Sequence, residues 1–280
     1  MTLPSVQTAL QTWQAGVSRR RLSIGCPEMD ARLGGGLLTD GITEISGESG
    51  AGKTQLSLQL CLTVQLPVEK GGLGGEALYV STECSFPSKR LMQMATAFRE
   101  THQMIFSSVG QLTDRICIEH VASSDGLTAL IDRLPQMTSQ KNIKLIIIDS
   151  LAAVFRADFD QNEAVEKAKA LLYIGRKLME ITRRKSIPVV CINQITALKP
   201  QRQGPTRSSS SPALGLAWSH VVTVRLFLTK SASTNEAEAE PTPRVMEIVF
   251  APHLPQDRFE FQITKRGVFS TKTRSPTAYI

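Results

Sequence analysis

The sequence has little of what membrane-spanning and secreted proteins require. No stretch of the 280 residues approaches the roughly 18 consecutive apolar residues of a membrane span. The N-terminus carries neither the basic nor the apolar region of a secretory signal. The five cysteines are far apart and form no CxxC pair or Cys/His cluster, so neither a disulfide framework nor a zinc site is indicated. We therefore expect reduced, largely buried thiols and no membrane partner.

What is present is the composition of a globular protein. Hydrophobic residues make up 41% of the chain and charged residues 20%, which argues against wholesale disorder and against fibrous repeats. The length allows one large domain, or one domain with a small appendage. Lys and Arg total 32 against 25 Asp and Glu, a net charge of +7. This excess favours an anionic partner such as nucleic acid or nucleotide, although a merely basic surface gives the same count.

Short apolar runs alternate with longer amphipathic ones from residue 42 onward. This order predicts an α/β fold, with a mostly parallel central sheet flanked by helices on both faces. The predicted strands are Ile42–Ser46, Ala77–Thr82, Arg115–Glu119, Lys144–Asp149 and Pro188–Asn193. The predicted helices are Lys53–Leu66, Ser88–Glu100, Gly126–Leu134 and Asn162–Lys185.

The last third of the sequence changes character. Strand patterns at Val221–Thr229, Val245–Phe250 and Phe259–Thr264 follow one another without helices between them, which predicts an antiparallel C-terminal extension of the sheet. Two other segments have the composition of loops. Lys199–Ser211 is rich in Gly, Pro, Ser, Gln and Arg, and Ser231–Pro243 is acidic and rich in small residues.

A phosphate-loop motif lies between the first predicted strand and the first predicted helix. Its glycines let backbone N–H groups turn inward around a phosphate, and the helix N-terminus adds positive potential there. Lys53 would reach the β- and γ-phosphates, and the Thr54 hydroxyl would bind Mg²⁺. The motif GxxxxGK[ST] is matched at every position, by Gly47, Glu48, Ser49, Gly50, Ala51, Gly52, Lys53 and Thr54.

Further polar residues follow other predicted strands, at the edge where ligands of open α/β sheets bind. Asp149 ends an apolar strand and is expected to hold Mg²⁺ through water. Glu83 is either the carboxylate that orients or deprotonates the attacking water, or a surface glutamate at a strand end. Asn193 and Gln194 carry amides that suit a γ-phosphate sensor, although amides in this position can equally cap a loop.

A series of short motifs runs through the chain in a fixed order. They are Gly25–Asp30, Gly34–Gly36, the phosphate loop, Gln65–Pro67, Gly71-Gly72, Tyr79–Glu83, Arg90-Leu91, Asp149-Ser150 and Asn193-Gln194. Together they resemble the RecA/RadA family of strand-exchange recombinases in its eukaryotic branch, over roughly residues 5–270. Within that branch the chain is most similar to a paralogue of the main recombinase. The resemblance implies a RecA-like P-loop ATPase core that uses ATP and Mg²⁺.

The resemblance also implies roles for individual residues of the nucleotide site. Glu83 matches the family's catalytic glutamate, and Gln194 matches the amide that couples the γ-phosphate to a DNA-binding loop. Lys53 belongs with them as a catalytic residue. Arg90 matches an arginine that lies against the adenine, a role that suits its planar guanidinium. Gln55, which follows the phosphate loop, is counted with the nucleotide-binding residues.

Other residues match positions where one subunit of the family meets the next. Pro252, His253 and Pro255 lie in the segment that matches the cap laid over a neighbour's nucleotide. His220 falls where the main recombinases carry a nucleotide-sensing histidine, or it is an ordinary histidine at a strand end. In the family, a linker before the ATPase core docks one subunit on the next through a Phe with an Ala three residues later. Val6 and Ala9 occupy these positions here. Because Val buries less apolar area than Phe, the docking energy is lower by roughly 1–3 kcal/mol.

The linker match also divides the chain. Residues 1–25 match the linker or polymerisation segment, and residues 26–280 match the ATPase domain. The helical DNA-binding domain that usually precedes this core is expected to be missing. The acidic segment 231–243 is expected near the place where a neighbouring subunit packs, which argues for a selective partner over long self-filaments.

Two loops of the family face DNA, and here they would be about Arg156–Val165 and Ile195–Leu214. Arg156 matches a DNA-contacting arginine, and its charge would neutralise a phosphate whatever the base sequence. The second loop supplies Lys199, Arg202 and Arg207 on a flexible backbone that suits ordering on single-stranded or branched DNA. Its alternative interpretation is a plain solvated loop.

The resemblance implies an accessory protein of homologous recombination, located in the nucleus, with the cytoplasm as a second location. Such a paralogue is an ATP-binding subunit, weakly active as a DNA-dependent ATPase, that pairs with another recombinase paralogue of the C type and assists the main strand-exchange recombinase. Two alternatives stay open. The chain is a self-sufficient, filament-forming recombinase, or it is a nucleotide-gated protein-binding module without DNA contact.

Overall fold

Nine β-strands form one sheet through the centre of the protein, in a computed structural model that describes residues 8–11, 20–83, 85–159, 161–194, 214–231 and 243–271. A two-residue pair, β1 and β2, lies outside this sheet. The strands are β1 Arg21–Leu22, β2 Leu37–Leu38, β3 Ile42–Gly47, β4 Glu76–Ser81, β5 Ile116–His120, β6 Ile143–Asp149, β7 Val189–Gln194, β8 Val224–Lys230, β9 Arg244–Phe250, β10 Arg258–Thr264 and β11 Gly267–Ser270.

The sheet has the order β11-β10-β9-β8-β3-β7-β6-β4-β5. Strands β8, β3, β7, β6, β4 and β5 are parallel, and β9, β10 and β11 continue the sheet as an antiparallel extension. In the register, Gly47 at the end of β3 lies opposite Gln194, and Ser81 at the end of β4 lies opposite Asp149. The carboxyl ends of four neighbouring strands therefore meet at one edge.

Helices cover both faces of the sheet, as parallel strands with apolar runs require. The larger core packs α1 to α4 against one face, and the other core packs α5 to α8 against the opposite face. The helices are α1 Pro27–Arg32, α2 Lys53–Thr63, α3 Ser88–Thr101, α4 Val109–Thr113, α5 Ser124–Gln140, α6 Leu151–Ala157, α7 Ala164–Lys185 and α8 Gly215–Ser219. Short 3₁₀ turns occur at Val68–Lys70 and Gln161–Glu163.

The predicted fold class is confirmed, and the first five predicted strands differ from the observed β3 to β7 by no more than a residue at either end. The prediction for Val221–Thr229 was wrong on two points: β8 begins three residues later, at Val224, and it pairs parallel to β3, so the antiparallel extension starts only at β9. The sequence pattern missed β11 and the small helices α1, α4 and α8 because short elements carry too little periodicity to stand out. It also ended α5 too early at Leu134, where Pro135 follows. The helix continues to Gln140 around that proline.

Several predicted features lie outside the described residues. Among them are Val6, Lys199, Arg202, Arg207 and most of the acidic segment 231–243. Ala9 is described and lies in an exposed helical stretch. Across the described ranges, no helix is both long enough and apolar enough to cross a lipid bilayer.

A buried glutamine joins β11 to the body of the protein. Gln59 on α2 is 4% exposed and donates through Nε2 to the carbonyls of Ile24 and Val268, at 2.7 and 3.0 Å. The backbone N–H of Val268 donates back to its Oε1 at 2.6 Å. One amide side chain thus satisfies backbone groups of an N-terminal segment and of the last strand, which lie far apart in sequence.

We predict that Gln59→Leu destabilises the protein by about 3 kcal/mol, because it leaves buried backbone groups without partners. The free energy of unfolding in urea measures this change. Gln136→Leu, at an exposed position on α5, is the matched control and should change stability by less than about 0.5 kcal/mol. Equal effects of the two substitutions would contradict the structural role of Gln59.

Candidate nucleotide site

The loop between β3 and α2 carries the phosphate-loop motif, and its backbone has the shape that the glycines allow. Gly50 and Gly52 have φ values of 75° and 107°, in the left-handed region that disfavours other residues. Lys53 starts α2 and is 7% exposed. Its ammonium donates to the carbonyls of Gly47 and Glu48, at 2.8 and 2.6 Å. Burial lowers the pKa of Lys53, and the nearby carboxylates of Asp149, Glu83 and Glu48 oppose that shift.

Asp149 ends β6 and faces the start of α2. Its Oδ2 accepts a hydrogen bond from the Thr54 hydroxyl at 3.1 Å and another from the Tyr79 hydroxyl at 2.5 Å. Burial raises the pKa of Asp149, and these two hydrogen bonds partly offset the rise by stabilising the carboxylate. The structure thus brings together Asp149 and Thr54, the residues that the sequence predicts as metal ligands.

Glu83 lies just beyond β4 and accepts three hydrogen bonds from other elements. Its Oε1 accepts from Ser150 Oγ at 3.1 Å and from the Arg156 guanidinium at 3.0 Å. Its Oε2 accepts from the Gln194 amide at 2.7 Å. Gln194, at the end of β7, therefore lies beside the carboxylate that the sequence predicts as the water-activating group.

Arg90 on α3 lies between α2 and the last hairpin. Its Nε donates to Gln55 Oε1 at 2.5 Å, and its other nitrogens donate to the carbonyls of Thr264 and Lys265, at 2.6 and 3.2 Å. The hairpin of β10 and β11 thus fixes the plane of the guanidinium. Gln55 contacts Arg90 directly, so these two predicted nucleotide-binding residues form one unit.

A cavity of about 660 Å³ connects these groups. This volume is within the range of sites for small molecules and cofactors. Its walls include most of the predicted nucleotide-binding and catalytic side chains and the last hairpin: Ser49, Gly50, Gly52, Lys53, Thr54, Gln55, Tyr79, Ser81, Glu83, Ser85, Pro87, Arg90, Asp149, Gln194, Arg244, Ile263, Thr264 and Lys265.

The donor set beside the phosphate loop fits magnesium. Thr54 and Asp149 supply one hydroxyl and one carboxylate, and Mg²⁺ is commonly held by one or two protein oxygens with waters and substrate phosphates completing its shell. Among the described residues, no group of three or more His, Cys, Asp or Glu side chains is arranged to hold a metal. An all-protein metal cage, such as zinc requires, is therefore not formed by this part of the chain.

Comparison with known proteins gives the family of this fold and site. The family model of Rad51 matches residues 18–271. The chain belongs to the Rad51 family. The predicted resemblance to eukaryotic-type recombinases is therefore confirmed, and members of the Rad51 family are ATPases that bind a nucleotide with a divalent metal.

Three relatives of the Rad51 family show how far the similarity extends. DNA repair protein XRCC3 of Bos taurus is 41% identical over 255 residues, which cover 89% of this chain and 74% of that protein. The protein of the same name from Mus musculus is 37% identical over 262 residues, covering 89% and 75%. The XRCC3 homolog of Arabidopsis thaliana is 33% identical over 283 residues, covering 90% and 93%.

Some groups at the site were not singled out in the sequence. Tyr79 and Ser150 lie within two of the motifs that carry the resemblance but were given no role there, because their hydrogen bonds to Asp149 and Glu83 depend on the tertiary structure. Arg244 begins β9 and lines the cavity, where its Nε lies 3.4 Å from the carbonyl of Gly50. Its sequence neighbourhood gave no signal, because β9 reaches the phosphate loop only through sheet pairing.

Three of the predicted interface residues lie away from this cavity, in one loop. Pro252, His253 and Pro255 are exposed in the loop between β9 and β10. A ring nitrogen of His253 lies 3.2 Å from the Arg21 guanidinium, and partial desolvation of the ring together with this charge lowers the His253 pKa, although the residue as a whole is exposed. Two oxygens of Asp257 accept from Arg32 at 3.1 and 2.8 Å, which fastens the same loop to α1.

His220 is exposed at the end of α8, where it borders a second cavity of about 540 Å³. That cavity lies between α7 and α8. Its remaining walls are Leu172, Arg176, Met179, Glu180, Arg183, Arg184 and Val221. Within this chain, His220 therefore does not line the cavity of the phosphate loop.

A buried glutamate ties three strands together behind the site. Glu44 on β3 has a 3% exposed side chain and pairs with Arg225 on β8 at 2.6 Å. Its other oxygen accepts from the Asn193 amide at 2.6 Å and from the Trp218 indole at 3.2 Å. Asn193 Oδ1 in turn accepts from the N–H of Ala152 in α6 at 2.9 Å. This network fixes β7 one residue before Gln194.

We predict that Glu44→Gln lowers the free energy of unfolding by about 3 kcal/mol, because Arg225 keeps a largely buried charge without its counter-ion. Urea unfolding followed by circular dichroism measures the effect. Glu180 pairs with Arg184 at 3.2 Å on an exposed helix face. Glu180→Gln is the control, and its effect should stay below about 1 kcal/mol. If Glu180→Gln lowered the free energy of unfolding as much as Glu44→Gln does, burial of the ion pair would not explain the effect.

Proposed function

We propose that the chain is an ATP-binding recombinase paralogue that acts in homologous-recombination DNA repair. The observation that carries this proposal is the convergence of Lys53, Thr54, Asp149, Glu83 and Gln194 on one cavity of a Rad51-family fold. The similarity to proteins named DNA repair protein XRCC3 supports a repair role. The nucleus is the compartment that such a role requires.

In this proposal, ATP and Mg²⁺ occupy the cavity of the phosphate loop. Backbone N–H groups of residues 47–54 and the Lys53 ammonium bind the phosphates, and Thr54 with Asp149 holds Mg²⁺ directly or through water. Bound Mg²⁺ supplies charge neutralisation of the phosphate oxygens. Glu83 orients the attacking water or takes its proton, and Gln194 reports on the γ-phosphate end of the site. Arg90, with its plane fixed by Thr264 and Gln55, offers a face for the adenine.

We predict that Lys53→Ala weakens ATP binding by at least tenfold, because one buried positive charge at the phosphates is lost, an effect of about 1.4 kcal/mol or more. Fluorescent-nucleotide titration measures the affinity. Lys89→Ala removes an equal charge from an exposed position on α3 outside the cavity walls, and this variant should bind ATP as the native chain does.

Glu83→Gln should bind ATP normally and lose ATP turnover, so normal hydrolysis by this variant would reject the role of Glu83.

The DNA-binding part of the proposal rests on charge. Arg156 is exposed on α6, beside the carboxyl edge of the sheet. The basic residues Lys199, Arg202 and Arg207, together with a net charge of +7, suit backbone contacts to single-stranded or branched DNA. The proposed partners are a second recombinase paralogue of the C type and the main strand-exchange recombinase.

The division of the chain and its contacts with neighbours belong to the same proposal. Residues 1–25 act as a docking linker through Val6 and Ala9, and residues 26–280 form the ATPase domain. His220 at the end of α8, and Pro252, His253 and Pro255 in the loop between β9 and β10, are exposed, which is compatible with contacts to separate partners. A docking motif with Val in place of Phe favours a selective partner over self-filaments.

Assembly on DNA separates this proposal from a self-sufficient recombinase. We predict that the purified chain with ATP, Mg²⁺ and single-stranded DNA forms monomers or small defined complexes, since docking through Val6 buries little apolar area. Mass photometry measures the distribution. Val6→Phe should lengthen the complexes, and Thr2→Ala serves as a control in the same segment. Long arrays of the native chain would favour the self-sufficient recombinase instead.

A further inference from the structure

The arginine proposed to contact DNA is paired with the carboxylate proposed to activate water. Arg156 Nη2 lies 3.0 Å from Glu83 Oε1, and the two side chains are 42% and 28% exposed. Glu83 follows β4, and Arg156 lies in the last turn of α6, which begins two residues after Asp149. The contact therefore joins two neighbouring strand ends of the catalytic edge.

Each partner has a second task that the pair obstructs. A carboxylate has about four acceptor positions, and a glutamate that orients water needs one or more of them free. Three are already used, because Oε1 accepts from Arg156 and Ser150, and Oε2 accepts from Gln194. The guanidinium of Arg156 likewise gives part of its donor fork to Glu83 and has less left for a phosphate. A phosphodiester and the carboxylate are thus competitors for one cation.

We propose that Arg156 couples DNA to ATP hydrolysis by exchanging partners: without DNA it restrains Glu83, and a backbone phosphate of DNA draws the guanidinium away and frees Glu83 for water. The inference rests on the proposed function, since it takes Glu83 as the water-activating group and DNA as the polyanion. Arg156 is in this view a positioning residue, because it acts on the reaction through Glu83.

The energetics suit a reversible exchange. A pair as exposed as this one is held by no more than about 1 kcal/mol, which corresponds to about a fivefold change in an equilibrium constant. A phosphate contact also releases condensed counterions from the nucleic acid, which favours transfer of the arginine to DNA at low salt. The remaining donors to Glu83, from Ser150 and Gln194, are neutral, so losing Arg156 removes the one charged hydrogen-bond donor that the described residues give it.

The first test measures DNA affinity with no nucleotide present, so that turnover plays no part. Fluorescence anisotropy of a labelled oligothymidine should show binding about three- to fivefold tighter for Glu83→Gln than for the native chain, because Arg156 is released. In an Arg156→Ala background, the same Glu83→Gln change should leave affinity unchanged. This double-mutant cycle isolates the pair from other effects of each substitution.

A control variant separates the pair from general electrostatics. Asp158 lies two residues from Arg156, and its carboxylate accepts a hydrogen bond from the Ser124 N–H. The side-chain oxygen of an asparagine can accept the same hydrogen bond. Asp158→Asn removes one negative charge from the same surface and should change DNA affinity by less than about twofold at moderate salt. A gain as large as that of Glu83→Gln would mean that any lost negative charge suffices, and would overturn the proposal.

The second test measures ATP turnover with and without DNA. Arg156→Ala should raise the DNA-free rate about threefold or more and should abolish further stimulation by DNA. Arg133→Ala, which removes one exposed guanidinium from α5, should keep both rates. An unchanged DNA-free rate in Arg156→Ala, or a gain from Glu83→Gln that persists without Arg156, would overturn the inference while leaving the ATPase proposal intact. A native chain that binds neither ATP nor the oligothymidine would overturn both.

Discussion

The alignment of four parallel strand ends is the constraint on which the rest of the site depends. β3, β7, β6 and β4 are adjacent in the sheet and run in the same direction, so the residues after them converge. The ladder places Gly47 opposite Gln194 and Ser81 opposite Asp149. A slip of one residue in any of these strands would turn its side chains to the other face. The polar groups of the cavity are therefore held together by sheet register more than by their own contacts.

The carboxylate of Glu44 on β3 is a buried charge, and a buried charge is tolerated only where hydrogen-bond donors compensate it. A carboxylate with a 3% exposed side chain is tolerable because Arg225, Asn193 and Trp218 all donate to it. Asn193 belongs to the same strand as Gln194 but faces away from the cavity, into this network. The two amides that looked equivalent in the sequence thus have different surroundings: one is structural and the other reaches Glu83.

The antiparallel extension completes the cavity from outside the parallel core. The hairpin of β10 and β11 brings the carbonyls of Thr264 and Lys265 to Arg90, and Gln59 holds the final strand in place from α2. The wall opposite the phosphate loop is consequently made by residues about 200 positions later in the chain. Arg156 extends the same edge on its other side, where its pairing with Glu83 connects the exposed last turn of α6 to the cavity.

The sequence by itself determined the fold class, the phosphate loop and the polar residues at the strand ends. These are local signals: a run of apolar residues defines a strand, Asp149 and Gln194 end such strands, and Lys53, Thr54 and Glu83 follow them within a few residues. The family resemblance, also readable in the sequence, was confirmed by the match over residues 18–271. The small elements α1, α4, α8 and β11 lacked such signals and were missed.

Only the tertiary structure decided which of these groups touch. The bonds from Tyr79 to Asp149 and from Gln55 to Arg90 depend on strand order, on helix packing and on side-chain orientation, none of which a linear pattern records. The same holds for Arg156, which the sequence marked as a DNA contact and the structure pairs with Glu83. A residue's chemical type is fixed by the sequence, whereas its partner depends on distances of a few ångströms between segments that are far apart along the chain.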